Sequence, residues 1–124
     1  MPFTKDQQMD IENTIRSRSA ELVDYTAQNL STIVRIPSLS GEEEAVIEKL
    51  RELCEQAGLD DVRVDGLGNL VARVGHGPRV LAVDAHIDTV DTGDLSQWRL
   101  PPYSGHIADG QVHGRGSVDQ KGGA

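Results

Sequence analysis

The sequence predicts an α/β fold in which N-terminal helices are followed by a mixed sheet. Apolar residues recur at helical spacing over residues 10–34 and again over residues 40–58, after which the period changes to two. The later segment VLAVDAHID is apolar on both faces, which is typical of a central strand buried between layers of helices. At 124 residues, the chain is long enough for one domain with its own core.

Two helices are predicted in the first half of the chain. The first begins near residue 10 and is stopped by Pro37, because proline disfavours helical geometry at the residue before it. The second begins at Ser40, where Ser40 and Glu43 match a capping box, and it ends at Gly58. We interpret the run of three glutamates in its first turn as a solvated, dipole-complementing helix start rather than a metal site.

The second half of the chain is predicted to form strands. DVRVD and NLVARVG are two short strands joined by the turn GLGN, and VLAVDAHID is the central strand. GHIADGQVHGRG is a tight hairpin, in which Asp109 and Gly110 supply the turn that needs positive φ. Short connections suit hairpins, so the sheet is expected to be mixed.

Charge and cysteine content narrow the class of function. The chain has 12 Lys and Arg against 20 Asp and Glu, and an acidic chain without a basic cluster argues against binding to nucleic acid or an anionic membrane. The single cysteine, Cys54, falls at a core position of the second helix and is interpreted as a small buried hydrophobe. No signal-peptide plan and no apolar run near the ~20 residues of a membrane helix are visible, so we expect a soluble cytoplasmic protein.

His86 and Asp88 lie two positions apart where the predicted central strand ends. Residues i and i+2 of a strand point to the same side, so both side chains face one direction. In one interpretation they simply meet water at the sheet edge. In the other, His86 binds a metal through one ring nitrogen while Asp88 accepts a hydrogen bond from the other nitrogen, which fixes the tautomer.

A second polar constellation is the segment GRGSVDQKGG near the end of the chain. It places Asp119 on a loop bracketed by glycines, which allow close backbone approach and unusual dihedral angles. A helix N-cap is the alternative role for this aspartate. Lys121 either contacts an anionic group or has a structural role beside the glycines.

Taken together, HIDTV and GRGSVDQKGG resemble the two signature motifs of a family of dinuclear zinc hydrolases. That family includes acetylornithine deacetylase, succinyl-diaminopimelate desuccinylase, aminoacylase and glutamate carboxypeptidase. The resemblance covers residues 36–124 and extends to IPSLSGEE and PPYSGHIADGQVHGRG. It implies a catalytic domain of the zinc-peptidase, phosphorylase/hydrolase-like fold.

Carried over by position, the resemblance also implies roles for individual residues. His86 would be a ligand to one zinc, Asp88 would orient that imidazole, and Asp119 would bridge both metals through its two oxygens. The peptide bond between Asp119 and Gln120 would be cis. Gln120 stands where methionine is common in the family, which leaves the ligand positions unchanged.

The function that the resemblance implies is metal-dependent hydrolysis of an amide or peptide bond. The substrate would be a small molecule, either an N-acyl amino acid or a small peptide. Two zinc ions, with cobalt or manganese as alternatives, would polarise the scissile carbonyl and generate hydroxide, while a glutamate acts as general base. Full-length relatives are expected to form homodimers.

The family's general-base glutamate and its remaining ligands lie downstream of the bridging aspartate, and five residues follow Asp119 here. We therefore expect residues 1–124 to be the N-terminal portion of the catalytic domain, without the lid and dimerisation domain, and to be inactive alone. A non-catalytic truncated relative that binds a partner chain or a single metal ion is the alternative. A metal-independent α/β binding domain is a third hypothesis.

Overall fold

The computed structural model describes residues 3–124, and these residues form an α/β fold, which confirms the predicted class. Three α-helices come first along the chain: α1 (Lys5–Glu21), α2 (Val23–Val34) and α3 (Glu44–Gln56). Four strands follow: β1 (Asp61–Val64), β2 (Leu70–Arg73), β3 (His106–Ala108) and β4 (Gln111–His113). Single turns of 3-10 helix occupy Leu95–Gln97 and Lys121–Gly123. Within this part of the chain, no helix is both long and apolar enough to cross a membrane.

The first predicted helix is in fact two helices. The α1 helix begins before the predicted start, because Thr4 and Gln7 form a capping box in which each side chain accepts from the other residue's backbone N–H. Leu22, with φ −97° and ψ 2°, leaves the helical region and separates α1 from α2. The apolar stripe that we expected along one side is buried in α2 alone, since α1 buries none of its side chains.

The second predicted helix, α3, begins four residues later than expected, at Glu44. The predicted capping box is wrong: the N-cap position is Glu43, and no side chain caps the first turn. The Ser40 hydroxyl instead donates to the carboxylate of Asp88. The predicted end of the helix is confirmed, since Gly58 has a φ of 74° and lies just beyond the C-cap.

Both predicted hairpins are present, and each is antiparallel. β1 pairs with β2 in the register Val62 opposite Ala72. β3 pairs with β4 around a two-residue turn, in which Asp109 and Gly110 have φ values of 51° and 72° as the sequence predicted. The hairpins are separate two-stranded sheets, so the described strands do not join in the single mixed sheet that we expected.

The predicted central strand is the main difference between expectation and structure. Residues 80–88 form no ladder, and the first pairing after them is an isolated parallel bridge from Thr89 to Leu39. Val80, Leu81 and Val83 are 77%, 88% and 84% exposed, rather than buried on both faces. The physical reason is that a central strand needs a neighbour on each side, and neither the β1–β2 hairpin nor the β3–β4 hairpin pairs with this segment.

The core lies where α2 and α3 meet the end of this extended segment. Ile33 of α2, Val46 of α3 and Ile87 form the buried cluster, with partly buried residues of the same helices packed around it. Ile87 is therefore held in place by the two helices, and it fixes the positions of its neighbours His86 and Asp88.

Candidate metal centre

His86 and Asp88 point outward because the residues that alternate with them are buried. Ile87 and Thr89 face the core, and the Thr89 N–H donates to the Ser38 carbonyl at 2.7 Å. The Ser38 hydroxyl in turn donates to the Ile87 carbonyl at 2.9 Å. The predicted same-side arrangement is therefore present, although the segment is extended chain rather than a strand within a sheet.

The imidazole of His86 lies between two carboxylates. Its Nδ1 is 3.1 Å from Oδ1 of Asp88, and its Nε2 is 2.9 Å from Oδ1 of Asp119. The contact with Asp119 joins the two sequence motifs across 33 residues. All three residues singled out from the sequence thus form one cluster.

Asp119 reaches His86 from a loop that packs closely on the core segment. Its peptide bond to Gln120 is cis, as the resemblance implied. Gly116 has a φ of 81°, and a Cβ built there would lie 2.5 Å from the Thr89 side chain. Glycine is therefore required at this position for both its backbone conformation and its close approach.

Lys121 attaches the same loop to α2. Its Nζ donates to the carbonyls of Ile33 and Ile36 at 2.9 and 2.6 Å, and the residue is 1% exposed. Burial lowers the pKa of the Lys121 ammonium to about 8. Of the two roles that the sequence left open, the structure shows the structural one: Lys121 satisfies carbonyl groups at the C-terminal end of a helix.

The carboxylates change the protonation behaviour of the cluster. The hydrogen bond with Asp119, followed by contacts with Asp88, raises the pKa of His86 above its ordinary value. The Ser40 hydroxyl, followed by His86, lowers the pKa of Asp88. Ser40 is a site residue that the sequence did not predict, because its contact with Asp88 spans 48 residues and no local pattern signals it.

A shallow depression surrounds the cluster, and its rim includes one cation. The guanidinium of Arg115 lies 5.0 Å from the centroid of the Trp98 ring, which holds it at the edge of the depression. The Trp98 indole is itself fixed by donating to the Thr92 carbonyl at 2.9 Å. The floor of the depression is therefore acidic, whereas part of its wall is basic.

The donor chemistry of the cluster fits a divalent metal. Imidazole nitrogen and carboxylate oxygen are zinc ligands, and two ligands ~2.0–2.2 Å from one tetrahedral ion lie roughly 3.4 Å apart. His86 Nε2 and Asp119 Oδ1 are 2.9 Å apart, a hydrogen-bond distance, so the two atoms would have to separate slightly to hold one ion. The carboxylate of Asp88 contacts the other ring nitrogen, Nδ1, which is the position from which a carboxylate orients a ligating histidine. In the described part of the chain, however, no group of three or more His, Cys, Asp or Glu side chains is arranged to hold an ion.

The imidazole of His86 thus joins a core segment to a glycine-rich loop through two carboxylates. Residues 82–124, which contain both motifs, match peptidase family M20/M25/M40. The resemblance identified from the sequence is confirmed by this match.

Curated relatives match a longer segment of the chain. An uncharacterized protein, YgeY, of Escherichia coli strain K12 is 45% identical over 94 residues, which are 76% of this chain and 23% of that protein. A probable succinyl-diaminopimelate desuccinylase of Staphylococcus epidermidis is 42% identical over 97 residues, which cover 76% of this chain and 24% of that protein. A succinyl-diaminopimelate desuccinylase of Cereibacter sphaeroides is 39% identical over 95 residues, which cover 73% of this chain and 25% of that protein. The chain spans about a quarter of the length of these relatives.

Proposed function

We propose that this chain supplies the first metal ligands of a zinc-dependent hydrolase that cleaves an amide or peptide bond. The observation that carries the proposal is the 2.9 Å contact between His86 Nε2 and Asp119 Oδ1, which brings the two family motifs to one point. The match to a peptidase family supports hydrolysis, and two relatives named as desuccinylases support a small N-acyl substrate. A small peptide is the other substrate class that we consider.

Each residue of the cluster has a distinct task in this proposal. His86 would hold the metal through Nε2 and Asp119 through its carboxylate, with zinc the expected ion and cobalt or manganese the alternatives. Asp88 would keep a proton on Nδ1 of His86, so that the Nε2 lone pair would be available to a metal held by Asp119. A bound divalent ion polarises a carbonyl oxygen and lowers the pKa of water.

Proton release must accompany metal binding at this cluster. In the metal-free chain, the raised pKa of His86 favours the form in which both ring nitrogens carry protons and each donates to a carboxylate. The metal would take the place of the Nε2 proton, so its affinity should increase with pH. Arg115, on the wall of the depression, is placed to attract an anionic group of a substrate.

We expect the chain by itself to bind metal without turning over substrate. Catalytic zinc sites hold three or four ligands, whereas the cluster provides two. The general base and further ligands of the complete enzyme would come from outside these 124 residues, in a protein as long as the relatives. A lid domain, a homodimer and a cytoplasmic location belong to the same proposal.

A non-catalytic protein that binds a single metal ion is the second candidate. The observation in its favour is that no group of three or more His, Cys, Asp or Glu side chains within residues 3–124 is arranged to hold an ion. Amide hydrolysis by a longer protein that contains this segment would favour the enzyme, and zinc binding without hydrolysis in that protein would favour the alternative.

The test of the proposed half-site is zinc binding measured by calorimetry on the 124-residue chain. His86→Ala and Asp119→Ala should each abolish binding, because each removes one of the two donors. His76→Ala is the matched control, since His76 lies in an exposed loop outside the cluster. Binding that survives His86→Ala, or a folded parent chain that binds no zinc, would contradict the half-site.

A further inference from the structure

Ser40 contacts the cluster, yet the proposed function gives it no task. It lies in the loop between α2 and α3, and its hydroxyl donates to Oδ2 of Asp88. The other oxygen of the same carboxylate, Oδ1, is 3.1 Å from Nδ1 of His86. The two oxygens of Asp88 are therefore held by different partners, one on each side.

The hydroxyl of Ser40 is not used to cap a helix. The N-cap of α3 is Glu43, with φ −85° and ψ −4°, and the first turn of α3 receives no side-chain hydrogen bond. Ser40 is also an exposed residue, so it has no place in the core. Its hydrogen bond with Asp88 is thus the contact that its side chain makes in the described structure.

The backbone that carries Ser40 is fixed by other groups. Ser38, two residues earlier, is fully buried and bonds through its hydroxyl to the Ile87 carbonyl. The Thr89 N–H donates to the Ser38 carbonyl, and Leu39 forms a parallel bridge with Thr89. Removal of the Ser40 hydroxyl should therefore leave the loop in place and release only the carboxylate.

A released carboxylate would change the state of the imidazole. Asp88 is partly exposed, so without Ser40 its carboxylate is free to rotate toward water and to leave Nδ1 without a fixed acceptor. The proton of a neutral His86 then shifts toward Nε2, where the Asp119 carboxylate accepts it. Each molecule with the proton on Nε2 lacks the lone pair that a metal held by Asp119 would need.

We propose that Ser40 is a positioning residue of the candidate metal centre: it locks the Asp88 carboxylate so that His86 keeps a proton on Nδ1 and leaves Nε2 for a metal that Asp119 would also hold. This inference rests on the proposed function, because it assigns the imidazole to a metal. It adds to the two motifs a residue from a third segment of the chain, the loop after α2.

The experiment compares Ser40→Ala, Ser40→Thr and Ser38→Ala with the parent chain. Partners of ligating histidines typically contribute ~10–100-fold to metal affinity, so Ser40→Ala should weaken zinc binding about tenfold or more by calorimetry. Ser40→Thr keeps the hydroxyl and should restore the affinity. Ser38→Ala removes a buried structural hydrogen bond and should lower the thermal unfolding midpoint, so it shows what loosening of this loop alone does to zinc affinity.

A second measurement addresses the metal-free chain. Nitrogen chemical shifts of the His86 ring, recorded by NMR well above its pKa, report which nitrogen carries the proton. Because Asp119 competes for the proton at Nε2 in every variant, the parent and Ser40→Thr should show a larger Nδ1–H fraction than Ser40→Ala. A merely structural role for Ser40 would lower the unfolding midpoint without changing this ratio.

The outcomes separate this inference from the proposed function. Parent-like zinc affinity and an unchanged proton ratio in Ser40→Ala, with binding lost in His86→Ala, would overturn the role of Ser40 and leave the half-site intact. If His86→Ala still binds zinc, or if the parent binds none, the proposed function fails. In that case the ratio of the Nδ1–H and Nε2–H forms of His86 tests the role of Ser40 by itself. A ratio that is unchanged in Ser40→Ala overturns the inference.

Discussion

His86 is the residue on which the cluster depends, because each of its ring nitrogens faces a carboxylate. Asp119 contributes most to its raised pKa, and Asp88 adds to the effect. The imidazole is about half exposed, so these contacts act through hydrogen bonds more than through a low local dielectric. Protonation of one side chain therefore reports whether the two motifs meet in solution.

The free energy of unfolding should depend on pH through the protonation of His86. NMR titration of metal-free chain should place the His86 pKa above the ~6.5 of an unperturbed histidine. Because the folded-state pKa is raised, the stabilisation is fully present below about pH 6.5 and is lost as pH rises through the folded pKa. Asp119→Asn should return the titration midpoint toward ~6.5 and flatten the corresponding slope of unfolding free energy against pH.

His76 provides the control for that titration. It is exposed and lies outside the cluster, 3.8 Å from Asp60, so His76→Ala should leave the titration midpoint of His86 unchanged. Equal titration of His86 in the parent and in Asp119→Asn would show that the two motifs are apart in solution.

At the scale of secondary structure, local signals were the predictable part. Gly58 ends α3, and the Asp109–Gly110 turn closes β3 and β4, because each depends on backbone conformations that a few neighbouring residues determine. The capping box at Ser40 failed because a residue 48 positions away accepts the hydroxyl hydrogen bond. The doubly apolar segment 80–88 failed because the pattern reports a preference for burial, whereas a strand also needs a neighbour.

At the candidate site too, the sequence predicted the local features but not the contacts between distant segments. The alternation of residues 86–89 predicted which side chains face outward, and the motif resemblance named the three residues of the cluster. Neither Ser40 nor the attachment of Lys121 to α2 was predictable, since both contacts join segments that are distant in sequence. Both contacts depend on how the loops pack on the core, which the sequence does not show.

The glycine loop should tolerate little change where it meets the core segment. Gly116→Ala places a Cβ against Thr89 in a left-handed conformation, so we expect a loss of about 1–3 kcal/mol in unfolding free energy, measured by chemical denaturation. The loop that carries Asp119 should also shift, and zinc affinity should fall with stability.

Gly77→Ala is the matched substitution for comparison. Gly77 has open space around its Cα and no left-handed φ, so the added methyl group should change stability by less than ~0.5 kcal/mol. Equal stabilities of the two variants would show that the loop does not pack on Thr89 in solution.

For the molecule as a whole, the small core and the exposed extended segment have a joint consequence. Ile33, Val46 and Ile87 are the centre of the buried apolar cluster, while residues 80–83 present apolar side chains to solvent along an unpaired backbone. Unpaired edges with exposed apolar residues are templates for pairing with another chain. The net charge of −8 opposes such association through repulsion between copies.

We therefore expect the isolated chain to associate with itself through residues 80–83 at micromolar to millimolar concentration. Sedimentation velocity should show a larger species whose fraction increases with salt, because salt screens the repulsion between copies that each carry −8. Leu81→Lys, in the middle of the segment, should shift the distribution toward the monomer. Leu67→Lys is the control, since Leu67 is 90% exposed but lies in the turn between β1 and β2, away from that edge. If both variants dissociate equally, charge rather than edge pairing governs the association, and if neither does, another surface of the chain carries it.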